Sequence, residues 1–427
     1  MGGADKLRIV FDASVLGYAQ YGAAGRTGVF RVADSLAREL AQSSECELTF
    51  CGAENFRMWT EAQNYLKSQV DLRGIRRVDH HAPATVFRAV GPLLWKLAER
   101  REVALPTKIV RKALGTVLAQ LERRSTPLSP RALFGQQIYH SCFFALPDVT
   151  RRMSGLRRFL TVCDVINLRN PQFSHDGGNY LRSIIQSVGP EDFVIAISET
   201  TKKELCEYRP EISAARVFVV PLAASDWFRP AAETEISQVR ARLGVGNRRY
   251  FLSVCTLDKR KNLPALVRAF ALWVQSSQDA QTDLVLCGSL GDSTSQLQQE
   301  IRRSGLAPER IRMTGYVRDE DLAPLYGGAL AFVYPSLHEG FGLPVLEAMR
   351  CGTPVITSDS GALAEVARGA AQGVNVRNDA AIAQALAKVS SDAGLRADLA
   401  RRGTERAREF SWKHSLRALL AAYRAAL

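Results

Sequence analysis

The sequence lacks the features that define several common classes of protein. Its eight cysteines include no C-x-x-C pair, which excludes a zinc ribbon and a dithiol redox site. No run of about 18 apolar residues could cross a bilayer, since Arg268 interrupts even ALVRAFALWV. The first residues have no apolar stretch typical of a signal peptide. Tandem repeats and low-complexity segments are also missing. We therefore expect a reduced, cytoplasmic, globular protein.

Length and composition indicate an ordinary globular chain of more than one domain. The 427 residues exceed what one hydrophobic core normally serves. Apolar residues make up 46% of the chain and charged residues 23%, as in many soluble enzymes. We predict an N-terminal domain over residues 1–228 and a C-terminal domain over 229–410. A last helix over 411–427 could pack on either domain.

Short apolar runs alternate with segments of helical periodicity along both halves. In the C-terminal half, we predict strands at RRYFLSVC, TDLVLCG, IRMTGYV, ALAFVYPS and TPVITSD. LRIVFDAS, CELTFCG, QQIYHSC, RRFLTVCDV, DFVIAISE and RVFVVPL are the predicted strands of the N-terminal half. Such alternation is typical of βαβ units and a parallel sheet. The fold class is therefore α/β, with a ligand cleft where the carboxyl ends of two sheets face each other.

The formal net charge of +13 points to a polyanionic partner, which could be a nucleic acid, a phosphorylated ligand or an anionic membrane. Residues 86–131 carry ten basic and three acidic residues, interleaved with apolar runs such as VGPLLWKLA. A basic helix with one apolar face can lie in a membrane interface. The same pattern also fits a helix that packs on its own sheet, and both interpretations stay open.

The stretch HEGFGLPVLEAMRCG, residues 338–352, places an acid on each side of a glycine-rich turn. Pro344 fits the first position of a helix and Gly352 fits just past its end. Glu339 would then lie in the loop and Glu347 in the first turn of the helix. The free N–H groups at such a helix start attract an anion, and flanking carboxylates accept hydrogen bonds from hydroxyl groups.

A nucleotide sugar matches this layout, because two hydroxyl-bearing rings flank its diphosphate. Alternatively, the two glutamates are surface charges around an ordinary turn. Arg260 and Lys261 follow the predicted strand RRYFLSVC, so they lie at the same sheet edge and can reach the same phosphates. Together these features favour phosphate binding.

Residues 249–366 resemble the donor domain of the family 4 glycosyltransferases, which have the GT-B fold of two facing Rossmann-like domains. The resemblance rests on SVCTLDKRKNL and on the stretch from TGYVRDEDL to SDSGALAEVA, including the E-x7-E pair. Weaker similarity extends through GRTGVFRVADSLA, YHSCFFALP, TVCDVINLRNP and AISETTKKEL. It thus spans most of the chain.

The resemblance implies a role for each matching residue. Glu347 would hold the donor ribose, and Glu339 would contact the transferred sugar. Arg260 and Lys261 would stabilise the diphosphate as leaving group. Further donor contacts would come from backbone groups of Gly340, Phe341, Gly342 and Leu343, from Tyr316 and Val317 at the nucleobase, and from Gly28 at the phosphates.

Two departures from the family pattern affect these expectations. Many relatives read H-D where this chain has Cys163 and Asp164, so contacts to sugar or acceptor differ here. An arginine that some relatives carry before the cationic pair is Thr256. On the acceptor side we expect Asp164, Cys163 and His140, although His140 fits a structural role equally well.

We expect no metal and no other cofactor. The only Asp-x-Asp match, residues 319–321, opens a predicted helix and fits capping acids. The six histidines show no zinc-binding spacing.

The residues together with the resemblance imply a retaining, metal-independent glycosyltransferase, with GDP-mannose the favoured donor and a glycan or lipid-linked acceptor. In this family the departing phosphate is thought to act as base. The alternative is a nucleotide-sugar-binding protein without transfer activity. We expect no nucleic-acid partner, because no helix-turn-helix or aromatic-interleaved basic strand occurs. An anionic surface on the inner face of the membrane is a further expected partner.

Overall fold

A computed structural model describes residues 6–25, 28–78, 128–174 and 176–427. Of the basic segment 86–131, residues 86–127 lie outside the described residues. His80, His81 and His175 lie outside them as well.

The N-terminal half forms a parallel sheet with strand order β3-β2-β1-β4-β5-β6-β7. Its strands are β1 (Leu7–Asp12), β2 (Cys46–Cys51), β3 (Arg76–Arg77), β4 (Ile138–Ser141), β5 (Arg157–Val162), β6 (Phe193–Ala196) and β7 (Val217–Val219). Six of these strands were predicted. The exception is β3, which is two arginines long and has no apolar pattern to reveal it.

The C-terminal half forms a second parallel sheet, of order β10-β9-β8-β11-β12-β13. Its strands are β8 (Arg249–Val254), β9 (Thr282–Cys287), β10 (Ile311–Gly315), β11 (Ala331–Tyr334), β12 (Val355–Ser358) and β13 (Gln372–Val374). Only the edge strand β13 was not predicted. The predicted domain boundary at residues 228 and 229 lies between the two sheets.

Helices cover the faces of both sheets, as parallel strands require. In the described residues, those of the first half are α1 (Gly28–Gln42), α2 (Phe56–Ser68), α3 (Pro130–Leu133), α4 (Asp148–Arg151), α5 (Ile166–Arg169), α6 (Asn179–Gln186) and α7 (Glu199–Tyr208). Those that follow are α8 (Glu233–Arg242), α9 (Leu263–Ser277), α10 (Thr294–Arg303), α11 (Asp319–Gly327), α12 (Leu343–Arg350), α13 (Gly361–Ala367), α14 (Asp379–Ser391), α15 (Ala393–Ala407) and α16 (Trp412–Ala426). None of these helices is long and apolar enough to span a bilayer.

The last helix, α16, packs on the N-terminal sheet. The Tyr423 hydroxyl lies 2.5 Å from His140 Nδ1 on β4, and the Tyr423 ring meets Phe159 on β5 edge to face at 4.9 Å. Ser411 begins the helix, and its hydroxyl accepts a hydrogen bond from the His414 N–H. Residues from the end of the chain thus complete the core of the first half.

Candidate active site

A cavity of about 450 Å³ lies where the carboxyl ends of the two sheets face each other. Its walls come from both halves of the chain. The residues proposed from sequence that line it are Gly28, Cys163, Asp164, Arg260, Lys261, Tyr316, Val317, Glu339, Gly340, Phe341, Gly342, Leu343 and Glu347. Of the proposed residues, only His140 is not among the lining residues. The structure therefore brings nearly the whole predicted constellation together.

The strand order explains why Arg260 and Lys261 meet Glu339. The two cations follow β8, Glu339 follows β11, and β8 pairs directly with β11. The order of the sheet reverses at this pair, which is where open α/β sheets form a ligand crevice. This reversal brings together the loops after β8 and β11, whose residues Lys261 and Glu339 are 78 positions apart in sequence.

Glu339 is the acceptor at the centre of this cluster. Lys261 Nζ lies 2.6 Å from Glu339 Oε1, and the Arg260 guanidinium forms an ion pair with Glu339 Oε2. The Tyr334 hydroxyl donates to Glu339 Oε1 at 2.9 Å and accepts from Lys261 Nζ at 2.6 Å. Both oxygens of the carboxylate are therefore engaged by cations.

The two cations control the ionisation of Glu339. Burial alone would raise the pKa of this carboxyl, but Lys261 and Arg260 outweigh it and lower the pKa to about 2. Burial lowers the pKa of Arg260, but Glu339, Tyr334 and Asp164 together outweigh burial, so that the pKa is raised overall. Glu339 is thus ionised near neutral pH. An incoming diphosphate would meet two cations already held in place.

Glu347 lies on the opposite side of the glycine turn, in a different environment. It is the fifth residue of α12, so the predicted position in the first turn was wrong by one residue. Side chains of a helix lean toward its N-terminus, which still directs this carboxylate at the cavity. The Tyr326 hydroxyl donates to Glu347 Oε2 at 3.1 Å. Burial raises the pKa of Glu347, and Arg31 and Tyr326 oppose the rise.

Arg31, which sequence reasoning missed, crosses the cleft from α1. Its Nη1 lies 3.3 Å from Glu347 Oε1 and its Nη2 lies 2.6 Å from Asp319 Oδ1. The signal available in the sequence was its position one turn after Gly28, on a helix that begins at the cleft. Asp319, at the start of α11, is therefore paired with a cation as well as placed in a first helical turn.

The backbone of the N-terminal half packs closely against Gly340, because this residue has no Cβ. A Cβ at this position would lie 2.0 Å from the Cys163 carbonyl oxygen. The Ser198 hydroxyl donates to the Gly340 carbonyl at 2.7 Å. Because Cys163 and Ser198 belong to the first half, Gly340 is a contact between the halves. Gly342, with φ of 117°, occupies the left-handed region that favours glycine and begins α12.

Cys163 and Asp164, which we expected on the acceptor side, line the cavity from the N-terminal half. Both are drawn into it from the loop that follows β5. Burial raises the pKa of the Cys163 thiol to about 12, so the thiol is neutral. The pKa of Asp164 is also raised by burial, against the opposing charge of Arg260. Asp164 Oδ1 accepts from the Ile166 N–H at 3.0 Å, which fixes the loop.

The placement of His140 does not support its interpretation as an acceptor-side residue. The ring is completely buried on β4, with Nε2 2.8 Å from Thr161 Oγ1 and Nδ1 against Tyr423. Burial lowers its pKa to about 3, so the ring is neutral. Strand residues alternate between the two faces of a sheet, and this one faces the core beneath α16. His140 therefore has a structural role.

Comparisons with known proteins agree with this geometry. The family described as glycosyl transferases group 1 matches residues 236–406. Over 289 residues, the chain is 31% identical to the O-antigen chain mannosyltransferase B of Escherichia coli, covering 67% of this chain and 74% of that protein. The chain belongs to the group 1 glycosyl transferases. This glycosyltransferase is also 34% identical over 252 residues to a D-inositol 3-phosphate glycosyltransferase of Salinispora tropica, covering 56% of this chain and 52% of that protein.

Solved structures share the fold across the whole chain. Sucrose-phosphate synthase from Thermosynechococcus elongatus has a TM-score of 0.65 at 19% identity, covering 98% of each chain. Anabaena HepE, solved with UDP and glucose, has a TM-score of 0.64 at 14% identity, covering 97% of this chain and 98% of that one. At this identity the likeness concerns the fold alone. The predicted GT-B fold of the glycosyltransferase is confirmed.

Proposed function

We propose that the enzyme moves a hexose from a nucleoside diphosphate to a hydroxyl of a glycan or lipid-linked acceptor, with retention of anomeric configuration and without a metal ion. One observation carries the proposal: Glu339 is held ionised by Arg260 and Lys261 on the same cavity wall as Glu347. Two carboxylates and a cationic pair in one cavity suit a ligand whose diphosphate carries a hydroxyl-bearing ring on each side.

In the proposed reaction, the bond between the anomeric carbon and the diphosphate oxygen breaks, and a bond to the acceptor oxygen forms. The acceptor proton passes to the departing phosphate. Negative charge on the diphosphate grows as the sugar leaves, so Arg260 and Lys261 stabilise the transition state more than the ground state. In this proposal the two side chains supply the positive charge that a divalent ion would otherwise provide.

The remaining donor contacts follow the same layout. Glu347 accepts from ribose hydroxyls, while Tyr316 and Val317 lie at the far end with the nucleobase. Gly28, at the start of α1, approaches the phosphates from the first half. The name of the mannosyltransferase relative supports mannose as the transferred sugar, and we propose GDP as its carrier.

A thermal-shift panel of GDP-, UDP- and dTDP-sugars tests the donor. We expect the largest stabilisation with GDP-mannose.

With that donor and a glycan acceptor, NMR of the product anomeric proton tests retention, and an assay in EDTA tests metal independence. An inverted product would reject the proposed stereochemistry, and a strict need for added Mg²⁺ or Mn²⁺ would reject the metal-free mechanism. Donor binding without nucleotide release would instead favour the binding-protein alternative.

We further propose a cytoplasmic enzyme that associates peripherally with an anionic membrane surface. The support is the basic segment 86–131 and the net charge of +13. A lipid-linked acceptor would be presented at such a surface.

A further inference from the structure

A second cavity, of about 240 Å³, adjoins the first on the N-terminal side. Cys163, Asp164 and Val29 line both cavities, so the two cavities lie side by side at these residues. The remaining lining residues are Phe143, Thr161, Val162, Asn167, Ser174, Asp176, Tyr180, Leu181, Ile184 and Ile185. None of these described residues is lysine or arginine. The lining is therefore suited to an uncharged ligand rather than to a phosphate.

A row of aromatic rings extends from this cavity along the carboxyl edge of the N-terminal sheet. Tyr180 lies 6.1 Å from Phe143, Phe143 lies 5.3 Å from Phe144, Phe144 lies 6.4 Å from Tyr18, and Tyr18 lies 6.3 Å from Tyr21, between ring centroids. Phe144 is buried, whereas Tyr180 and Tyr21 at the two ends are 45% and 53% exposed. The row thus has one buried ring in its interior and a partly exposed ring at each end.

Acidic and polar groups accompany the row. The Glu54 carboxylate is near enough to contribute to the raised pKa of both Tyr18 and Tyr180, after burial. Asp176 accepts hydrogen bonds from the N–H groups of Gly178 and Tyr180, which fixes the start of α6 and with it the Tyr180 ring. Rings that offer apolar faces beside hydroxyl-accepting carboxylates match the alternating apolar faces and hydroxyl edges of sugar units.

We infer that this second cavity and the aromatic row form consecutive acceptor subsites for an uncharged oligosaccharide. The inference rests on the proposed function and names its acceptor. The sugar that receives the hexose lies in the second cavity beside Asp164, against the rings of Phe143 and Tyr180. At least one further sugar unit lies along the row toward Tyr21. Length of the acceptor, rather than an anionic group on it, would therefore determine affinity.

Titration calorimetry on the full chain, with and without saturating GDP, tests this. The probes are the monosaccharide, disaccharide and trisaccharide of manno-, gluco- and galacto-series, with inositol phosphate as an anionic probe. We expect one trisaccharide to bind about tenfold more tightly than its monosaccharide. Tyr21→Ala should remove that gain and leave monosaccharide affinity unchanged, whereas Tyr180→Ala should weaken both about tenfold. Tyr180→Phe should restore most of the affinity, because it keeps the ring.

Phe134→Ala is the matched control, since Phe134 is an exposed ring of the same half that lines neither cavity. It should bind every probe as the wild type does. Affinity that does not increase with length for any series, or tighter binding of inositol phosphate, would overturn the inference. GDP affinity is measured in the same samples. If the wild type does not bind GDP, the proposed donor is wrong. If the wild type binds GDP but does not prefer longer saccharides, only the proposed subsites are wrong.

Discussion

Arg31 of the N-terminal half and Glu347 of the C-terminal half face each other across the cleft, with 3.3 Å between Nη1 and Oε1. The arginine therefore contacts the carboxylate that we assign to the donor ribose. A hydrogen-bonding ligand at Glu347 must share or displace this contact. Donor binding is thereby linked to the relative position of the two halves.

This pairing predicts a pH effect on donor affinity. In Arg31→Ala, the pKa of Glu347, already raised by burial, should rise further because an opposing cation is lost. A protonated carboxyl is a weaker acceptor, so as the pH is lowered the nucleotide affinity of the variant should begin to fall at a higher pH than that of the wild type. Titration calorimetry measures it. Glu347→Gln, which cannot ionise there, should show no such dependence, and an equally flat profile in Arg31→Ala would contradict the prediction.

Alanine substitutions of Lys261, Glu339 and Glu347 should affect turnover and donor affinity to different degrees. Lys261→Ala should reduce kcat roughly a hundredfold, because a cation at the leaving group is lost. Glu339→Ala should lower kcat more than donor affinity, whereas Glu347→Ala should cost about 1.5–3 kcal/mol of donor binding. Steady-state kinetics and calorimetry measure these effects. Wild-type values for both glutamate variants would show that the donor lies elsewhere.

Glu339 also predicts a change in stability with pH. Its pKa is about 2 in the folded chain and near 4.5 when unfolded, so its stabilising contribution is complete above about 4.5 and declines as the pH falls toward 2. The difference corresponds to roughly 3 kcal/mol. We expect Glu339→Gln to be less stable than wild type at pH 6 and the gap to narrow below about 4.5, as measured by urea unfolding. A gap that stays constant with pH would rule out this account.

Gly340→Ala tests the contact between the halves. The new Cβ would overlap the Cys163 carbonyl oxygen. Either the free energy of unfolding falls by about 1–3 kcal/mol, or the two halves move apart. Thermal unfolding and small-angle scattering distinguish these outcomes, and donor affinity should fall in both. Gly74→Ala is the control, because nothing lies within 4 Å of a Cβ there. Identical behaviour of the two variants would show that the contact is not restrictive.

The basic segment predicts salt-dependent binding to membranes. At about 1 kcal/mol per basic residue near an anionic leaflet, a few charges suffice for peripheral binding. The wild type should sediment with anionic vesicles at low salt and be released near molar salt. Glutamine at Arg100, Arg101, Lys108, Arg111 and Lys112 should abolish this and leave donor affinity unchanged. The control replaces five exposed arginines of the other half, namely Arg302, Arg303, Arg377, Arg401 and Arg408. Binding to neutral vesicles that equals binding to anionic ones would refute the prediction.

Three of the residues that sequence reasoning found share one property. Arg260, Lys261 and Glu339 all follow strands, and strands of a parallel sheet end at the same edge. The alternation of apolar runs was therefore enough to bring them together. Edge strands such as β3 and β13 were missed because they are two and three residues long and carry little apolar signal.

What sequence reasoning could not find depends on the packing of one half against the other. Arg31 and Glu347 are 316 residues apart in sequence. The periodicity of apolar residues predicts local elements and says nothing about contacts between residues so far apart. His140 was placed at the cleft because its strand ends there, but the face of the strand, not its end, determines what its side chain meets. The partner of that face, Tyr423, comes from the last helix.

The hydrogen bond between His140 and Tyr423 also sets an order of events during synthesis. The ribosome makes Tyr423 283 residues after His140, which takes roughly 15–60 s at ordinary rates of translation. During that time, the face of the first sheet that receives α16 is without its cover. The first sheet therefore reaches its final packing only after the last helix has been made.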